Sequence, residues 1–168
     1  MKHVGLRGNA KDILCRDQLT LGAAVLSNNA VATTETIVAQ WSVAALALVA
    51  GDVLNIGNMG QVSSTATLTF RIRMGTAGTT ADPLLCTFST TAAGVVNGHQ
   101  SLDALIAILS ATTATASGDV RLGNGRLGLS AAAFAAAAVN LTVANFISIT
   151  LVQSIAQTYT SRAAMLSF

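Results

Sequence analysis

The side chains with the most chemical range are few and scattered. Histidine occurs at His3 and His99 only, and cysteine at Cys15 and Cys86 only. A structural zinc site needs four such ligands in paired spacings, and neither cysteine has a partner a few residues away. Lone thiols of this kind suit a reducing cytoplasm. The seven acidic residues stand singly, whereas a calcium loop sets several oxygen ligands in close register. Asp52, Asp82 and Asp119 are read as turn residues whose carboxylates bond the local backbone. His99, Ser101 and Asp103 are the residue types of a hydrolytic triad. They are neighbours in sequence rather than groups converging from separate elements, so they read as exposed loop residues. The glycines of 57–60 and 75–78 lack the lysine of a phosphate loop and the spacing of a dinucleotide fingerprint, and are read as turns. The sequence predicts no catalytic residue, no cofactor and no metal.

What must position any site is therefore a question of strands. Over 66–74, Leu68, Phe70, Ile72 and Met74 alternate with Thr67, Thr69, Arg71 and Arg73. That period of two predicts a long strand with one wet face. A second run at 53–56 precedes it and is expected to end in the turn 57–60. Gly75-Thr76-Ala77-Gly78 turns the chain after it, toward Pro83, where a new strand can begin without losing a ladder donor.

Elsewhere the pattern is similar. Residues 19–26 read as a first strand and 27–29 as its turn. Residues 35–43 place Ile37, Ala39, Trp41 and Val43 on one face. Trp41 is thus a core anchor, or a sugar platform if that face is open. The stretch 102–109 fits either a helix face, through Leu102, Leu105, Ile106 and Leu109, or a strand. The β-rich context favours the strand. Residues 110–116 read as a loop, 118–122 as a strand, and Gly123-Asn124-Gly125 as a hairpin turn leading to 126–129. The alanines of 131–138 suit a helical crossover or a close-packed edge. Strands at 140–153 and 159–168 complete eight to ten short strands, the count and spacing of a sandwich.

Composition then asks where the apolar surface goes. The chain has 168 residues, enough for one domain with a real core, and only 10% of them are charged. No apolar run is long and unbroken enough for a membrane helix. One Trp, one Tyr and five Phe cannot build the aromatic girdles of an outer-membrane barrel. The surplus is expected to be covered by copies of the chain or by a host lattice. The formal charge of +2 is also uneven: Lys2, Arg7, Lys11 and Arg16 face two acids within 1–17, while the five basic and five acidic residues of 18–168 cancel. Residues 1–18 read as a basic arm that fastens a neutral domain, 19–168, to a partner. Four basic residues without interleaved aromatics make a poor nucleic-acid footprint, and the start lacks the apolar core of a secretory signal.

The succession GDVLNIGNMG, TLTFRIRMGTAGTT, NLTV at 140–143 and YTSRAAMLSF at 159–168 resembles the small jelly-roll virion proteins of tailed bacteriophages, of the head-decoration, head-fibre and tail-tip type. The resemblance spans roughly residues 19–168. It implies an all-β protein, an antiparallel β-sandwich of jelly-roll type, with no catalytic residues to transfer. The expectation is a capsid decoration or cement protein in the virion, a homotrimer bound to the major capsid protein or another virion protein through Lys2, Arg7, Lys11 and Arg16. A host-recognition or carbohydrate-binding tip is the alternative.

Overall fold

The computed structural model describes residues 28–31, 34–62, 67–90, 99–122, 125–127 and 136–168. The expected strand at 19–26, the basic arm with Lys2, Arg7, Lys11 and Arg16, and Cys15 and His3 lie outside the described residues, as do 123–124 and 131–135. Eleven strands occupy the described residues: β1 (Asn28–Val31), β2 (Thr36–Val43), β3 (Val53–Val62), β4 (Leu68–Gly75), β5 (Leu84–Ser89), β6 (His99–Ser110), β7 (Thr113–Leu122), β8 (Gly125–Leu127), β9 (Ala137–Ala138), β10 (Asn145–Gln153) and β11 (Gln157–Ser167). They form a large sheet in the order β1-β11-β3-β6-β7-β8, with β9 beside β7, and a small sheet in the order β2-β10-β4-β5.

The order defines the fold. The antiparallel pairs β1·β11, β2·β10, β3·β6 and β4·β5 nest inside one another along the chain. A long hairpin rolled up on itself leaves alternate pairs in opposite sheets, so the chain is an antiparallel β-sandwich of jelly-roll type. Strands β7 to β9, inserted between the sixth and tenth, widen the large sheet beyond the roll.

The inward faces meet as the alternation of 68–74 requires. Leu68, Phe70, Ile72 and Met74 of β4 are buried, as are Ile147, Ile149 and Leu151 of β10. Opposite them lie Leu54 and Ile56 of β3 and Leu102, Ile106 and Ile108 of β6. Each such side chain contributes roughly 1.5–3 kcal/mol on leaving water. Trp41 is 3% exposed and belongs to this core. Stretch 102–109 is strand, since Leu102, Ala104, Ile106 and Ile108 point inward while Leu105 and Leu109 point out. The helical spacing there mixed residues from both faces.

Several expected turns are strand instead. Residues 57–60 continue β3, paired to β6 and β11. Glycine serves there to admit another side chain: a Cβ on Gly60 would lie 2.1 Å from the Tyr159 hydroxyl. Asn28 and Asn29 pair with Thr160 and Tyr159 rather than turning. Strand β7 begins at Thr113, so Gly118 and Asp119 sit mid-strand, and Asp119 is not a turn residue. Gly118 is needed because a Cβ would lie 2.3 Å from the Asp103 carbonyl. The hairpin after Leu122 is present, with Leu122 opposite Gly125. Of the alanine run, Ala137 and Ala138 form the edge strand β9.

The reverse error occurs at 140–143, which is turn despite its β-branched residues. Asn140 Oδ1 accepts the Thr142 amide at 3.1 Å and its hydroxyl at 2.7 Å, and Asn145 Nδ2 donates to the carbonyls of Asn140 and Val143. Two asparagine side chains satisfy the backbone locally and strand pairing starts only at Asn145. Asp52 and Asp82 do act as turn residues. Asp52 Oδ2 accepts the Val49 amide at 2.7 Å, and the Asp82 carboxylate accepts those of Ala77, Gly78 and Thr79.

The Gly60–Tyr159 contact yields a direct test. Gly60→Ala is expected to lower stability by about 3 kcal/mol through overpacking, yet to cost far less in a Tyr159→Leu background, where the ring is gone. Urea denaturation of the four proteins measures this coupling. Strictly additive losses would show that the ring does not set the glycine requirement.

Candidate functional site

With the strands in register, the outward residues of the large sheet form rows running across β11, β3, β6 and β7. One row reads Ala163, Met59, Ser101, Arg121, and the next Met165, Gly57, Asp103, Asp119. Beyond it come Asn55, Leu105 and Ser117. A shallow groove of about 400 Å³ runs along Asn55, Asp103, Leu105, Ser117, Asp119 and Met165, and Gly57 beside it is buried, with Met165 Cε and Asp103 Oδ1 3.5 and 3.7 Å from where a Cβ would stand. A second hollow, about 180 Å³, adjoins it over Gly57, Met59, Ala163 and Met165. Large apolar side chains stand open on the same face: Met59 is 56% exposed, Met165 54%, Leu109 52%, Val53 47% and Leu105 45%.

The sequence-nominated triple lies here but does not make a catalytic site. His99, Ser101 and Asp103 occupy alternate positions of β6 and share its outer face in strand rather than in a loop. Successive members are ~6.8 Å apart along the strand, and no hydrogen bond joins any two of them. Their lateral neighbours are Gln61 for His99, Met59 and Arg121 for Ser101, and Gly57 and Asp119 for Asp103. None of these orients a base toward a nucleophile. Cys86 is a buried free thiol on β5, its pKa raised by burial with a partial offset from the Thr87 carbonyl. Among the described residues no three metal-ligating side chains come together.

The outer face of the small sheet is built differently. Glu35, just before β2, receives hydrogen bonds from Arg73 Nε at 2.6 Å, from the Thr150 hydroxyl at 2.5 Å, and from Arg71. Arg73 also donates to the Asp82 carbonyl at 2.6 Å, which ties the ionic hub to the turn after β4. Gln40 Nε2 donates to Ser148 Oγ at 2.9 Å and to the Gly78 carbonyl at 3.0 Å. Ser148 and Thr150 are fully buried beneath these groups. The polar groups of this face are thus largely engaged with one another rather than held out for a ligand. Burial pushes the Glu35 carboxyl up, but the donors from Arg73, Thr150 and Arg71 outweigh it and bring its pKa from 4.5 to about 2.

No family model matches this chain, and no curated protein does. Among solved structures it is similar to a tetrameric galectin from Cinachyrella sp. (ball sponge), at a TM-score of 0.33 and 7% identity, over 77% of this chain and 99% of that one. The jelly-roll assignment rests on the strand order itself.

Sequence reasoning found Arg71 and Arg73 as an outward pair but missed their counterion, because Glu35 lies 36 and 38 positions away. It also missed Met59 as a surface residue. The available signal was the inward alternation Leu54, Ile56, Asn58, Gly60, Val62, obscured by two glycines.

The hub has a pH signature. Glu35 is depressed on folding, so its contribution is fully present above about pH 4.5 and is lost as the pH falls toward about 2. Glu35→Gln is expected to be about 2 kcal/mol less stable than the natural chain at pH 7, because two half-buried guanidinium groups lose their counterion. The difference should close across that acid window in pH-dependent urea melts. A gap that stays constant to pH 2 would show that the carboxylate charge is not what holds the hub.

Proposed function

We propose that this chain is a non-enzymatic structural protein of a virion, a decoration or cement protein whose sandwich self-associates while residues 1–18 fasten it to the shell. One observation carries the assembly part. The outer face of the large sheet exposes Val53, Met59, Leu105, Leu109 and Met165, and large apolar side chains gathered open on one face mark interaction sites. The anchoring part rests on charge: Lys2, Arg7, Lys11 and Arg16 give the first 17 residues a net +2 beside a neutral remainder. The proposed partner of the arm is an acidic surface on the major capsid protein or another virion protein, and the proposed location is the assembled particle. The phage attribution comes from the strand-and-turn cadence described above.

Two features weigh against the alternative of a sugar-binding tip. Trp41 is in the core and offers no stacking platform. The polar face of the small sheet has its donors and acceptors largely engaged internally.

The test is binding of the full chain and of a version lacking residues 1–17 to undecorated phage capsids, alongside a glycan array. Capsid binding by the full chain, lost or weakened by about tenfold or more in the truncated one through removal of its charge contacts, is the expected result. Equal binding by both overturns the anchoring role of the arm. Saturable glycan or host-cell binding without capsid binding overturns the decoration reading.

A further inference from the structure

We propose that the loops at one end of the sandwich, those carrying Leu46 and Val143, insert their side chains into the surface of a lipid bilayer. The proposal goes beyond the virion reading and uses neither the arm nor the outer face of the large sheet.

The starting point is a residue held against its preference. The Ala47 amide donates to the Ala44 carbonyl at 3.2 Å, which closes a four-residue turn, and Leu46 stands third in it at φ 60°. A turn with positive φ at that position takes glycine or asparagine, because an L side chain there costs backbone energy. Leu46 is also 69% exposed, more than any other large apolar side chain among the described residues. Neither feature serves the fold. Glycine would relax the backbone, and a polar residue would suit the water. A leucine displayed at such a point is explained by an apolar medium that receives it.

The neighbouring loops carry the same character. The Leu46 amide donates to the Leu141 carbonyl at 2.8 Å, and the Leu141 amide to that of Ala111 at 3.1 Å, so the turns 44–47, 111–112 and 141–143 stand side by side. Val49 is 39% exposed and Val143 42%. No charged residue occurs in 36–51, 104–118 or 136–161. Asp52, which follows the first loop, turns its carboxylate back onto the Val49 amide at 2.7 Å.

Two observations favour a bilayer over a protein partner. Protein interfaces are anchored by Trp, Tyr and Arg, whereas the large side chains open at this tip, Leu46, Val49 and Val143, are all aliphatic. Hydrocarbon also tolerates no unpaired backbone polar group, and these loops bond their backbone from within. Asn140 Oδ1 accepts the Thr142 amide, Asn145 Nδ2 donates to the carbonyls of Asn140 and Val143, and the Gly51 amide donates to the Ile108 carbonyl at 2.8 Å. A chain can touch a bilayer in this way without a membrane helix, by burying a few apolar side chains at the headgroup boundary. With no cation in these loops, the contact needs no anionic lipid.

The experiment is flotation of the full chain with small, highly curved vesicles of pure phosphatidylcholine at physiological salt, beside Leu46→Gly, Leu46→Met and Val143→Ser. Leu46→Gly removes the side chain and relieves the backbone, so its urea midpoint should equal or exceed that of the natural chain. The natural chain is expected to float with the vesicles. Leu46→Gly should lower its partition coefficient about tenfold or more and Val143→Ser about fivefold, while Leu46→Met, which keeps an apolar side chain, should bind like the parent. A natural chain left behind by the vesicles overturns the proposal, as does binding indifferent to Leu46→Gly or to Val143→Ser, or lost equally in Leu46→Met. Binding that appears only with anionic lipid also overturns it and assigns the contact to the basic residues. So does a change of sedimenting mass in Leu46→Gly without vesicles, which assigns the tip to a second copy. No capsid enters the assay, so a failed decoration reading and a failed lipid contact are told apart.

Discussion

The sandwich depends on one buried side chain that makes a close approach within the large sheet and reaches across to the small one. Tyr159 of β11 is fully buried and lies across Gly60 of β3, and its hydroxyl donates to Asn58 Oδ1 at 2.5 Å. Asn58 Nδ2 in turn donates to Ser161 Oγ at 2.6 Å. Across the core the Tyr159 ring meets Phe70 edge to face, with centroids 5.9 Å apart, a geometry aromatic quadrupoles favour. One side chain therefore fixes the register of β3 against β11 and the position of the small sheet above both. Burial drives the phenol pKa upward, so the hydroxyl stays a donor. In a chain with so little aromatic mass, a single ring placed this way does what a larger aromatic core does elsewhere.

Given that core, the two outer faces have opposite fates. The small sheet closes its own polar surface through Glu35, Arg71, Arg73 and Thr150, and through Gln40 and Ser148. The segment before β2 is thereby bound to β4 and β10, and the loop held by Asp82 is bound to the same network. The large sheet has no equivalent cover. Its outward residues mix aliphatic and thioether groups with small polar ones and with the charged Asp103, Asp119 and Arg121. The ion pairs of Glu35 with Arg71 and Arg73 lie on the small-sheet side.

How much of this was legible in the sequence follows from how far each interaction reaches along the chain. The alternation at 68–74 and the Pro83 start of β5 are local, and both were readable. Turn residues Asp52 and Asp82 were readable for the same reason, their carboxylates bonding backbone within a few positions. Failures cluster where a glycine or asparagine serves a distant partner. Gly60 looked like a turn because its reason, Tyr159, lies 99 positions on, and Gly118 looked like the start of the strand it lies within, because its reason is the Asp103 backbone on the neighbouring strand. Asn140 and Asn145 erred in the other direction, since only the side-chain bonds between them tell a turn from the strand their β-branched neighbours suggest. The order of the sheets follows from nested pairings that span most of the chain, which no local window contains.

The open face also shows why apolar area alone would be a poor design for assembly. Five exposed aliphatic and thioether side chains would adhere to many surfaces, and a sheet face without polar marks leaves its stacking free to slip by a row. Asp103 and Asp119 stand opposite each other on β6 and β7, one row from Arg121 on the same face. Charged groups set among apolar ones narrow the set of partners that such a face can accept, because specificity is a difference between the right contact and its near neighbours.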